Sequence, residues 1–146
     1  MSKRVVLLVL IVVLVVAAAV WYFFLRPYKL EVDRVIGGVI VEEGGKQIIE
    51  VKYHTHFKIV FKTTPPAVGY TVVCFCDTIN FNKPHPLKGK TCGGYCNRIA
   101  SDGKCVSESW YADTPPGIVT GLKCYVARGE EVIKESELTL YLKTRE

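Results

Sequence analysis

The sequence predicts an all-β domain, an antiparallel β-sandwich, carried behind a single N-terminal transmembrane helix. Three observations lead there. Residues 5–25 run for twenty-one positions without a charge, an amide or a proline, and a helix of that length rises about 30 Å, the thickness of a bilayer's hydrocarbon core. After residue 26 the apolar residues recur with a period of two, and no stretch holds a helical stripe. The strands so marked follow one another at intervals of about eight to twelve residues, divided by proline and glycine corners, as in a sandwich.

Both ends of the apolar stretch read as membrane ends. Lys3 and Arg4 precede it, and Trp21, Tyr22, Phe23, Phe24 and Tyr28 stand where an interfacial aromatic belt lies. A cleaved secretory signal is the rival reading, because Ala17-Ala18-Ala19 offers a small-residue cleavage site. Apolarity that continues to Leu25 favours a retained anchor. Charge does not orient it, since Arg26, Lys29 and Arg34 balance Lys3 and Arg4. The cysteines do: without zinc-ligand spacing, six of them read as disulfides, which belong to an oxidising compartment. Residues 1–4 are therefore expected in the cytoplasm, 5–25 in the membrane and 26–146 outside, as a single-pass surface protein.

The outer segment is long enough for one domain with its own core and too short for two. Lys3 and Arg4 aside, seventeen basic residues stand against fourteen acidic ones. That balance excludes nucleic-acid binding driven by bulk charge. There is no Asn-x-Ser/Thr sequon and no lipidation box.

Residues 28–35 form a first strand, Gly37-Gly38 a bulge or kink, and 39–43 its continuation. Glu43-Gly44-Gly45-Lys46 marks a hairpin, because two glycines supply the positive φ that a two-residue turn requires. Ile49, Val51, Tyr53, Phe57, Ile59 and Phe61 share one parity, and Glu50, Lys52, His54, His56, Lys58 and Lys62 hold the other. One unbroken half-buried strand is expected over 47–63. Thr64-Pro65-Pro66 ends it, and a strand over 69–76 follows. Between 77 and 105 the pattern dissolves into a cysteine-rich loop that is also basic, with Lys83, Lys88, Lys90, Arg98 and Lys104. Strands resume at 105–112, 118–127 and 138–143.

Thr64-Pro65-Pro66 precedes Cys74-Phe75 as Thr114-Pro115-Pro116 precedes Cys124-Tyr125, fifty residues later and with the same gap. This echo suggests two equivalent corners leading into strands. The run from Ala112-Asp113-Thr114 through Cys124-Tyr125-Val126-Ala127-Arg128 to Leu138-Thr139-Leu140-Tyr141 resembles the last two strands of immunoglobulin-like domains, over about a quarter of the chain. That resemblance implies an immunoglobulin-like sandwich and carries no binding or catalytic residue across. Leu122 stands where such domains place a tyrosine, two residues before the cysteine.

Cys74, Cys76, Cys92, Cys96, Cys105 and Cys124 are read as three disulfides, with Cys124 bridged to Cys74 or Cys76 and the others stapling the loop. The alternative is an anchored metal or thiol carrier. Cys92-Gly93-Gly94-Tyr95-Cys96 has the two-thiolate spacing of membrane-anchored copper proteins, but Asn97, Ala100 and Gly103 stand where their further ligands or proline are needed. His54 and His56, two apart on an exposed strand face, have the spacing to grip one ion, against the repulsion of Lys52 and Lys58. No nucleophile, zinc-protease or phosphate-loop motif is present.

The expected function is accordingly non-enzymatic and free of cofactors: a binding, adhesion or assembly module of a cell envelope, filament or virion. Lys83, Lys88, Lys90 and Arg98 are the expected contacts with an anionic surface or protein partner. A filament subunit whose apolar helix packs against other helices remains an alternative to the lipid anchor.

Overall fold

The computed structural model describes residues 2–22, 27–81, 83–92 and 96–146. Among these residues, an apolar helix, α1 (Lys3–Val20), is followed by eleven strands in two sheets. The helix has a mean hydropathy of 2.8 over 18 residues, long and apolar enough to cross a membrane, and none of it is buried. Ser2 caps it, accepting a hydrogen bond from the Val5 amide at 3.3 Å. Phe23, Phe24 and Leu25, which complete the expected span, and Arg26, which begins the expected outer domain, lie outside the described residues.

β1 (Lys29–Ile36) and β4 (His56–Thr64) pair antiparallel in the smaller sheet, with β7 (Lys104–Val106) and β8 (Trp110–Tyr111) along the far side of β4. The larger sheet runs β2 (Gly38–Glu43), β3 (Lys46–Lys52), β11 (Leu138–Arg145), β9 (Val119–Arg128), β5 (Thr71–Ile79) and β6 (Lys83–Pro84), with β10 (Glu131–Val132) beside β9. A 3-10 turn, Lys134–Ser136, leads into β11. One buried cluster draws on both sheets: Leu30, Phe57, Ile59 and Phe61 from the smaller, and Ile49, Val51, Val72, Leu122, Val126 and Leu140 from the larger. Each such side chain contributes about 1.5–3 kcal/mol on burial.

The expected single strand over 47–63 is two strands in different sheets. The chain leaves β3 at Lys52, turns with His54 at φ +60, and joins the smaller sheet at His56. The Tyr53 amide donates to Arg145 O at 2.7 Å, and the His54 amide to Ala112 O at 2.9 Å. The alternation conceals the crossing because the inner faces of both sheets address the same core, so Val51 and Phe57 keep one parity on either side.

The first strand bends in the same way. Gly37 takes φ +86, and a Cβ there would stand 2.8 Å from His56 O. β1 to β4 are thus one long hairpin, closed at Gly44-Gly45, whose two halves lie in different sheets.

The larger sheet is mixed rather than antiparallel, since β3 and β11 run parallel from Ile48↔Tyr141 to Lys52↔Arg145. Antiparallel order is imposed only where a short turn joins neighbours. β3 continues into the other sheet, so β11 reaches its flank from a distant part of the chain.

The expected strand over 105–112 is β7 and β8, interrupted at Ser107. That hydroxyl accepts from the Ile59 amide at 2.9 Å, and the Ser107 amide donates to Ile59 O at 2.9 Å.

Nor is the cysteine-rich stretch a free loop. Beyond β6 it runs back beside β5, exchanging hydrogen bonds from His85 N with Asp77 O (3.1 Å) to Cys96 N with Val72 O (3.2 Å). It then crosses to the smaller sheet as β7. Gly93, Gly94 and Tyr95 lie outside the described residues.

Candidate functional site

The outer face of the larger sheet carries an open groove of about 570 Å³, lined along its floor by Phe75, Lys123, Tyr125 and Val132. Strand alternation places these residues. Along β5, Cys74 and Cys76 point into the core and Phe75 and Asp77 do not; along β9, Leu122, Cys124 and Val126 point in and Lys123 and Tyr125 do not. Phe75 and Tyr125 meet edge to face with centroids 6.0 Å apart. The turn after β6 brings Lys88 and Gly89 to one side, and the segment from β10 to the 3-10 turn brings Lys134 and Glu137 to the other.

Charge in the groove is partly neutralised from within. Lys123 Nζ lies 3.5 Å from Asp77 Oδ2 and 3.7 Å from Glu137 Oε1. The Tyr125 hydroxyl donates to Glu137 Oε1 at 2.8 Å. Burial, then that hydrogen bond, push the hydroxyl up to about 12 from its ordinary 10.0, so Tyr125 is a fixed donor at neutral pH. Lys88 and Lys134 are exposed, and among the described residues neither takes part in an ion pair closer than 4.0 Å. The groove therefore joins an apolar, aromatic floor to two unneutralised cations, an arrangement suited to a ligand with apolar side chains and carboxylates.

Of the four basic residues expected to make contact, only Lys88 lines this groove. Lys83, Lys90 and Arg98 are exposed and do not line it. Two further cations were missed. Lys123 was legible as the outward residue between Leu122 and Cys124; Lys134 carried no signal, because the 3-10 turn that presents it has no periodicity to read.

All six cysteines are in disulfides: Cys74 with Cys124, Cys76 with Cys92, and Cys96 with Cys105. Cys92 and Cys96 thus hold different partners rather than a common ligand. The first two bridges tie β9 to β5 and β5 to the neighbouring ribbon within the larger sheet. The third joins that ribbon to β7 of the smaller sheet. The two cysteines of the fifty-residue echo are bonded to each other, and because β5 and β9 are antiparallel the two proline corners lie at opposite ends of the pair.

His54 and His56 are not side by side on a strand. His54 occupies the corner in the left-handed conformation, and both rings approach Tyr111, at 6.1 and 4.9 Å. No group of three His, Cys, Asp or Glu able to hold a metal occurs among the described residues. Comparison of the chain with protein-family models, with curated proteins and with solved structures returns no match.

Proposed function

We propose that this protein is a membrane-anchored, non-enzymatic binding module that holds an anionic protein partner in the groove between Lys88 and Lys134. The observation that carries the reading is the groove itself, where two cations without carboxylate partners flank an apolar floor fixed by Tyr125 and Glu137. Residues 5–25 are the anchor, supported by the length and hydropathy of α1 and the absence of any buried residue along it. Three disulfides support an oxidising, extracytoplasmic location for residues 26–146, with residues 1–4 in the cytoplasm. The role is adhesion or assembly at a cell envelope, filament or virion surface.

We read the architecture as a two-sheet sandwich of the immunoglobulin-like kind, supported by the shared core and by adjacent, antiparallel β9 and β11. It departs from that pattern in its central bridge. Cys74 and Cys124 are cross-strand neighbours in one sheet, with Cα atoms 4.0 Å apart, where immunoglobulin domains bridge their two sheets.

The test uses the full chain in lipid nanodiscs, with immobilised poly-L-glutamate as the anionic probe. Replacing Lys88 and Lys134 together with alanine is expected to weaken binding at least tenfold and leave the thermal midpoint unchanged, since both side chains are exposed. Equal binding by the double variant would remove the groove from the contact. Protease digestion of intact cells, followed by mass measurement of the unreduced domain, checks its location and its three bridges.

A further inference from the structure

The corner at residues 53–55 leaves His54 in a conformation that non-glycine residues adopt only at a free-energy cost, and such outliers concentrate at functional sites. It is held there by the backbone hydrogen bonds from Tyr53 and His54 and by His54 Nδ1, which lies 2.9 Å from the Tyr111 hydroxyl. The result is a row of four rings, Tyr53, His54, Tyr111 and His56, with successive centroids 3.7, 6.1 and 4.9 Å apart. Three strand ends supply them. β8 turns Trp110 into the core against Phe57 and leaves Tyr111 48% exposed; His54 and His56 are exposed as well.

The row stands at the end of the domain opposite the point where the chain arrives from the helix. Lys29 pairs with Thr64 at one end of β1, Ile36 with Lys58 at the other, and His56 lies beyond. Eight strand residues span about 26 Å. Lys52 and Lys58 are exposed on either side of the row in sequence.

Core packing accounts in part for Tyr53, which is half-buried, but not for His54, His56 and Tyr111, which are left in solvent. A cation site is disfavoured by Lys52 and Lys58. A stable protein interface needs about 800 Å² from each partner, far more than four side chains supply. Exposed rings with polar edges suit a sugar, whose apolar C–H faces stack on aromatic faces while its hydroxyls meet phenol and imidazole groups.

We propose that the ring row Tyr53–His54–Tyr111–His56 is a binding platform for an acidic saccharide chain, with Lys52 and Lys58 paired to its carboxylate or sulfate groups. This platform is separate from the groove and does not depend on it.

Calorimetric titration of the full chain in nanodiscs tests it, using a galacturonate hexamer, a heparin-derived hexasaccharide and maltohexaose, with hexaglutamate titrated into the Lys88→Ala/Lys134→Ala double variant so that the groove does not contribute. At least one acidic saccharide is expected to bind at least tenfold more tightly than both maltohexaose and hexaglutamate. Tyr111→Ala and His54→Gly should each weaken that binding fivefold or more. Glycine accepts φ +60 without strain, so H54G removes the ring while keeping the corner, and its thermal midpoint should not fall. Lys88→Ala should leave saccharide binding intact. The proposal is overturned if neither acidic saccharide binds, if hexaglutamate binds as tightly as they do, if maltohexaose matches them, or if Tyr111→Ala has no effect.

Discussion

The two edges of the larger sheet are held by different means. On one side, β2 pairs residue for residue with β3 from Gly38↔Val51 to Glu43↔Lys46, and the turn closes on Gly44 and Gly45 at φ +57 and +77. On the other, among the described residues, only Lys83–Pro84 forms a regular strand, and those of the ribbon that follows it along β5 bury little besides Cys96 and Ile99. The first edge is kept by backbone geometry and alternation. The second has prolines, lysines and glycines in place of a strand pattern, and Cys76–Cys92 and Cys96–Cys105 supply the constraint that burial does not. Where side chains cannot hold a segment against its lost chain entropy, covalent closure does so by restricting the unfolded chain.

The difference can be broken from either side. Removing the central bridge with Cys74→Ala and Cys124→Ala should have the largest effect, about 4 kcal/mol of stability for a loop of this length, read by chemical denaturation. Gly37→Ala should follow, at about 3 kcal/mol, because it combines φ +86 with a Cβ 2.8 Å from a backbone oxygen. Its damage should appear as loss of hydrogen-exchange protection in β1 and β2 while β5 and β9 stay protected. The Cys96–Cys105 bridge closes a shorter loop, so Cys96→Ala with Cys105→Ala should cost about 2.5 kcal/mol. Were that pair to leave the midpoint unmoved, the ribbon would be held by its hydrogen bonds to β5, and the contrast between the edges would fail.

The smallest effect concerns Tyr125. Its hydroxyl stays protonated in the folded chain up to about 12, against 10.0 when free. A raised folded value means that its contribution is intact below pH 10 and is lost as pH rises through about 12, since the unfolded chain gives up the proton first. Tyr125→Phe should cost no more than about 1 kcal/mol at neutral pH. It should also flatten the fall in stability over that alkaline window.

Much of the fold was legible because period two and turn chemistry are local. The apolar helix, the Gly44-Gly45 hairpin and the outward setting of Lys123 all follow from neighbours in sequence. What was missed involved partners far apart along the chain. The run from Gln47 to Thr63 reads as one strand because its parity never breaks, although Tyr53 and His54 cross between sheets. The groove was half legible: Lys88 belonged to an evident basic cluster, whereas Lys134 joins it only through the 3-10 turn after β10. His54 and His56 were noticed for their spacing, but the ring that unites them, Tyr111, is 57 residues from His54.

By itself the sequence determined an apolar N-terminal helix, a β-rich domain behind it, and six sulfurs suited to an oxidising medium. Those features depend on composition and short-range alternation. Only the tertiary structure decided which strands share a sheet, which cysteines meet and where the rings and lysines gather. Alternation records which side of a strand faces a core and carries no mark of which sheet, or which distant segment, completes it.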